Sequence, residues 1–101
     1  MTEIANRTLF FEDFADKVDE RFVIVEESDP ALALTLAECC LLSPLQQPPS
    51  DHKSFSLIFT ADTLLPQRLY RLEQDKLGVI DIFLVPVGKD VRGFHYQAVF
   101  N

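Results

Sequence analysis

Six short segments of this chain are rich in β-forming residues, and turn-forming or polar residues separate them. The segments are 22–25, 31–42, 55–60, 69–73, 79–87 and 95–100. In the third, Phe55, Leu57 and Phe59 share one face, as the period of two in a strand requires. A run of antiparallel strands manages its edges most simply by closing into a small barrel or folding into a sandwich. We therefore predict a mainly β (α+β) fold with about six antiparallel strands in a small barrel or sandwich, and one short N-terminal helix.

The helix is predicted over 9–18, where the apolar residues change to helical spacing. Phe14 and Val18 lie on one face of such a helix, and acidic residues fill the other. Thr8 is a candidate N-cap. We expect this helix to plug one end of the barrel or to lie across an open face.

The segment 31–42 could be a helix or a strand. Its Ala, Leu and Glu residues are good helix formers, and neither Gly nor Pro interrupts it. However, Leu32, Leu34 and Leu36 alternate with smaller residues, and the segment follows a tight turn after a strand. We interpret it as a strand that pairs back on the strand before it.

The length and the charge limit the organisation and the partners. With 101 residues the chain is expected to form a single domain, 1–101. The net charge is -7, and the first 30 residues, with nine acids and three bases, carry -6 of it. Nucleic acid is not expected as a partner, because binding to phosphates depends on Lys and Arg, and anionic membranes are disfavoured for the same reason.

The expected location is the cytoplasm. The first residues lack the uninterrupted apolar run of a secretory signal, and no apolar stretch approaches the roughly 20 residues that span a bilayer. Cys39 and Cys40 are adjacent and provide no disulfide framework. No membrane association is therefore expected.

The residues that most often carry chemistry are few. Histidine is the usual general base near neutral pH, and the chain has His52 and His95. Cys39 or Cys40 beside His95 would be the nucleophile to test, but no flanking motif supports it, and alternation sends the two thiols to opposite faces. Vicinal cysteines also do not supply zinc-ligand spacing. We therefore expect no catalytic, metal or cofactor-binding residue, and a protein that is not an enzyme.

Two carboxylates interrupt apolar strands, Glu38 and Asp81. Nothing in the spacing selects them as an acid and base pair of the glycosidase type. We expect them to face outward or to pair with Arg68 or Arg71.

A candidate interaction surface lies on two of the predicted strands. The segment 69–73 combines an aromatic residue with a cation, which can mark a binding surface, although an ordinary strand with one buried and one wet face gives the same pattern. The last strand could add to another sheet. The candidate contact residues are Tyr70, Arg71, Glu73, His95, Gln97 and Val99.

The C-terminal half resembles a family of small bacterial proteins catalogued only as a domain of unknown function. The resemblance is carried by FSLIF at 55–59, LPQ at 65–67, YRLE at 70–73, LG at 77–78, FLVPVG at 83–88 and YQAVFN at 96–101. The family pattern has a Gly just before the position of Phe22, where this chain has Asp19, Glu20 and Arg21. The resemblance implies no catalytic residue, and it implies an association with phage-tail-like proteins.

These observations favour a non-catalytic assembly or interaction module that binds a protein partner or itself. The motif residues are mainly those that build strands and turns, with few polar groups of the kind an active site requires. The alternative is a small β-barrel carrier whose interior or mouth holds an apolar molecule. An enzyme is the third hypothesis.

Overall fold

The alternating segments form six strands that close into one ring. The computed structural model describes residues 9–25, 32–42 and 53–100. Their elements are α1 (Phe11–Ala15), β1 (Arg21–Ile24), β2 (Ala33–Leu41), β3 (Phe55–Ala61), β4 (Arg68–Gln74), β5 (Gly78–Asp90) and β6 (Gly93–Phe100). The order around the closed barrel is β1-β2-β3-β6-β5-β4, every neighbouring pair is antiparallel, and β1 pairs with β4 to close it. The predicted mainly β fold is confirmed, with the barrel rather than the sandwich.

Inward-facing side chains fill the barrel. On β3 every second residue, from Phe55 to Ala61, is buried. The rings of Phe22 and Phe59 meet edge to face, with centroids 5.2 Å apart. Tyr70 and Tyr96 are the largest fully buried side chains of the described residues. The interior is therefore a packed aromatic and aliphatic core.

The ambiguous segment is a strand, as predicted. Leu34 and Leu36 face the core, and β2 pairs with β1 on one side and β3 on the other. A bulge between Leu36 and Glu38 shifts the register. Beyond it, Cys39 is half-buried and Cys40 is exposed, so the two thiols point to opposite faces.

The helix is shorter than the predicted 9–18. Its first turn is closed by Asp13, whose Oδ2 accepts a hydrogen bond from the Phe10 backbone N–H at 2.8 Å. Thr8 lies outside the described residues. The fully buried Phe14 packs its ring against Phe55 and Phe100, where β3 begins and β6 ends. The helix therefore plugs one end of the barrel, one of the two placements predicted.

Asp19 lies four residues after the helix, in the turn that leads to β1. Its φ is +75°, in the left-handed region that favours glycine and that Asp tolerates better than most residues. Its backbone N–H donates to the Leu36 carbonyl at 2.7 Å, which ties the chain to β2. The position lies just before β1.

The hairpin of β5 and β6 extends further than predicted. The sequence pattern predicts that one strand ends at residue 87 and the next begins at 95, with turn-forming or polar residues between them, but Gly88, Lys89 and Asp90 pair with His95, Phe94 and Gly93. That expectation was wrong because pairing with β6 outweighs the local polarity. Only residues 91 and 92 form the turn, and the Asp90 carboxylate accepts a hydrogen bond from the Arg92 backbone N–H at 2.8 Å.

Two buried tyrosines hold the connection 62–67 against the barrel. The Tyr96 hydroxyl donates to the Thr63 carbonyl at 2.8 Å and accepts from the Leu65 N–H at 2.7 Å. The Tyr70 hydroxyl donates to the Pro66 carbonyl. These hydrogen bonds fix a segment that has no regular structure of its own.

Within the described ranges, no helix has the length and apolar character needed to cross a membrane.

Candidate interaction surface

The predicted contact residues of β4 do not all face outward. Tyr70 is only 1% exposed, because the alternation that places Leu69 and Arg71 outside turns the residue between them into the core. Its ring therefore lies inside the barrel and is not part of the surface. The outward residue before it is Leu69, which is 54% exposed.

Arg71 lies opposite Asp81 on β5, and the two form a bidentate ion pair. Its Nε donates to Asp81 Oδ1 at 2.9 Å, and its Nη2 donates to Oδ2 at 3.2 Å. The expectation that Asp81 pairs with an arginine is confirmed. Glu73 lies between Val23 and Val79 on the same outer face and is exposed.

A strip of apolar side chains runs beside this ion pair. Leu69 lies directly opposite Phe83, which is 50% exposed. Val85 follows two residues along β5 and lies opposite Gln97 of β6, and Val99, also 50% exposed, follows on the same face. We call Leu69, Phe83, Val85, Gln97 and Val99 the outer patch.

The outer patch joins two groups of residues that the sequence suggested separately. β5 lies between β4 and β6, so Phe83 and Val85 connect Leu69 to Gln97 and Val99. Sequence reasoning missed Phe83 and Val85. The sequence contained a signal for both residues. A carboxylate such as Asp81 is expected to face outward, and in a strand every second residue after it, here 83 and 85, then faces outward too.

His95 lies two residues before Gln97 on the same face of β6, on the side of the hairpin turn. Its side chain is 16% exposed, and its Nε2 is 2.9 Å from Asp90 Oδ1, although the two are not aligned as a hydrogen bond. The imidazole of His95 and the backbone N–H of Arg92 lower the pKa of Asp90 to about 2. The contact stabilises the hairpin end and leaves His95 with little surface to offer a partner.

The structure does not bring Cys40 and His95 together. Cys40 lies opposite Ser56 and His95 opposite Thr60, so the two are four residues apart along β3, roughly 13 Å at strand spacing. A nucleophile and its base need hydrogen-bond contact.

Cys39 faces the other side of the sheet. Burial, and then the neighbouring Cys40, raise the pKa of its thiol to about 11, which keeps it protonated near neutral pH. No group of three or more metal-ligating side chains occurs among the described residues, and His52 lies outside them.

The comparisons with known proteins give a family and nothing further. Residues 9–100 match the family described as a domain of unknown function, DUF6916. No curated protein and no solved structure matches the chain. The match covers nearly the whole sequence and agrees with the resemblance seen in its C-terminal motifs. This chain is a member of the DUF6916 family.

Proposed function

We propose that this protein is a non-catalytic assembly module that associates through the outer patch. The observation that carries the proposal is the cross-strand pair of Leu69 and Phe83, two large apolar side chains that lie opposite each other and are each about half exposed. They are held on paired strands of a closed barrel, so the surface is formed before a partner arrives.

The exposed area is enough to matter energetically. A phenylalanine buries ~150–250 Å² when fully enclosed, so the exposed half of Phe83 offers about 100 Å². Covering that area contributes about 2.5 kcal/mol at ~25 cal/mol per Å². Apolar anchors at the centre of an interface with polar groups at its rim are the usual arrangement, and the Arg71–Asp81 pair supplies such a rim.

The compensated charges beside the outer patch allow a second copy of the chain to be the partner. The net charge of -7 is concentrated in the first 30 residues, whereas the charges of Arg71 and Asp81 beside the outer patch compensate each other. Two outer patches can therefore face each other without bringing unpaired like charges together. A twofold arrangement of this kind uses the same surface on both copies.

Light scattering after gel filtration tests the proposal. The wild-type protein should have the mass of a dimer, and Phe83→Ser should convert it to a monomer. Val91→Ser is the matched control, since Val91 is an exposed apolar residue at the hairpin turn, outside the outer patch. A wild-type monomer, or a dimer that persists in Phe83→Ser, would contradict self-association through this surface.

A role beside phage-tail-like proteins is a further proposal that rests on the family resemblance. If this proposal is correct, a phage-tail-like protein should co-purify with the wild-type chain and with the Val91→Ser variant. The same protein should be absent when Phe83→Ser is purified. Equal retention by both variants would show that the outer patch is not the contact.

The apolar carrier remains a prediction that the fold does not favour. Phe22, Phe59, Tyr70 and Tyr96 occupy the barrel interior, which leaves little room for an apolar ligand there. Native mass spectrometry of gently purified protein would detect a bound molecule if the prediction holds.

A further inference from the structure

A cavity of about 320 Å³ opens where β1 and β3 end and β2 begins. It is separate from the outer patch. Its polar wall contains Arg21 and Arg92 together with three hydroxyl side chains, Thr35, Thr60 and Thr63. Its volume lies at the lower end of the range for small-molecule pockets, ~300–1,000 Å³.

The strand register explains why these polar groups converge. Arg21 of β1 lies opposite Thr35 of β2, and Thr35 lies opposite Thr60 of β3. The three therefore form one row on the outer face, each about 4.8 Å from the next across the strands. Because Thr60 is far from Arg21 and Thr35 in the sequence, the sequence alone does not predict that the three are neighbours.

Arg92 approaches the same space from the β5–β6 turn. One of its nitrogens, Nη2, lies 3.3 Å from Asp90 Oδ2, which leaves other N–H groups of the guanidinium for a ligand. Arg21 makes no ion pair with another residue of the described ranges, although Glu20, Glu73 and Asp75 border the adjoining groove.

The remaining walls define the rest of the ligand. Asp62 is the one carboxylate among the described lining residues, and Asp90, outside that lining, pairs with Arg92. Leu32 and Ala33, both partly buried, form the accessible apolar wall beside the polar row. A bound molecule therefore meets positive charge and hydroxyl groups on one side and hydrocarbon on the other.

We infer that this cavity binds a small organic anion, with its carboxylate or phosphate group on Arg21, Arg92 and the threonine hydroxyls. Guanidinium groups match the planar oxygens of a carboxylate and the faces of a phosphate through paired, charge-assisted hydrogen bonds. Threonine hydroxyls donate to the remaining oxygens. The hydrocarbon part of the ligand lies on Leu32 and Ala33.

Amide chemical shifts in two-dimensional NMR spectra of the 15N-labelled chain test this inference. Sodium hexanoate and sodium phosphate are titrated separately to ~20 mM, with sodium chloride at matched ionic strength to remove general screening. Saturable shifts at Thr35, Thr60, Thr63 and Arg92 are expected with one or both probes. Hexanoate alone would identify a carboxylate with a hydrocarbon tail, and phosphate alone a phosphate group.

Charge-neutral variants locate the site. Arg21→Gln and Arg92→Gln should each weaken binding by about tenfold, because each removes a charge-assisted contact. Lys53→Gln removes a positive charge just before β3, at the end of that strand far from the cavity, and should leave binding unchanged. Three results would overturn the inference. Sodium chloride alone could produce the same amide shifts, the shifts could persist in both cavity variants, or neither probe could shift any of these amides. Spectra of the variants without probe show whether they are folded.

Discussion

Replacing Tyr96 by phenylalanine should cost this fold more stability than the loss of one oxygen atom suggests. The ring of Tyr96 is fully buried, so the substitution leaves the core packing in place. The hydroxyl alone is lost, and with it the bonds to the Leu65 N–H at 2.7 Å and to the Thr63 carbonyl at 2.8 Å.

The two lost bonds differ in their consequences. Leu65 is buried, so its N–H loses its partner away from water, which costs about 1–3 kcal/mol. Thr63 is exposed, and water can replace the hydroxyl at its carbonyl. We expect the free energy of unfolding to fall by about 2 kcal/mol, which lowers the Tm of a domain of this size by about 8–16 °C.

Urea unfolding followed by circular dichroism measures the change, and hydrogen exchange at the Leu65 amide locates it. Tyr70→Phe is the matched comparison, because the carbonyl it leaves at Pro66 is exposed and the cost should be smaller, about 1 kcal/mol. A Tyr96→Phe protein that loses no more stability than Tyr70→Phe, with unchanged exchange at Leu65, would refute this reasoning.

Three further predictions concern the turns. Gly93→Ala should lower the free energy of unfolding in urea by at least about 2 kcal/mol, because the added Cβ would lie 2.6 Å from the Ala61 carbonyl oxygen and the φ of Gly93 is +120°. Gly88→Ala is the control and should cost under about 1 kcal/mol, because a Cβ added there has no atom within 4 Å. Asp19→Gly should raise the Tm, with a gain of about 0.5–1 kcal/mol, because it relieves the positive φ, and no gain would contradict that reading. Asp90→Asn should lower the free energy of unfolding at pH 5. The folded state lowers the pKa of Asp90 from 3.8, so the carboxylate stabilises the fold above that unfolded value and stops doing so once it is protonated. The stability difference between wild type and variant should therefore shrink as the pH falls from about 4 to about 2. A difference that stays constant with pH would argue against this contact.

The alternation of apolar residues was sufficient to predict the strands. In the segment 31–42 the period of two at Leu32, Leu34 and Leu36 outweighed good helix formers, because a helix would have spread those leucines around its surface. Gly78 stands between the predicted strands 69–73 and 79–87, and its positive φ agrees with a turn between them. Such local signals are readable because neighbours in sequence determine them.

Pairing between distant residues accounts for what the sequence did not reveal. Barrel closure depends on β1 meeting β4, for example Val23 opposite Glu73, and no local pattern encodes that contact. The row from Arg21 to Thr60 depends on two such registers. Tyr70 was placed on the surface for its residue type, whereas its position between Arg71 and Leu69 sends it inside.

Sedimentation velocity over a series of concentrations, from about 10 to about 500 µM, tests the central claim most directly. If the outer patch joins two copies, the mass of the wild-type chain should rise from 11.5 kDa towards twice that value, while Phe83→Ser stays at 11.5 kDa throughout. A wild-type protein that sediments as a monomer at every concentration would contradict the claim.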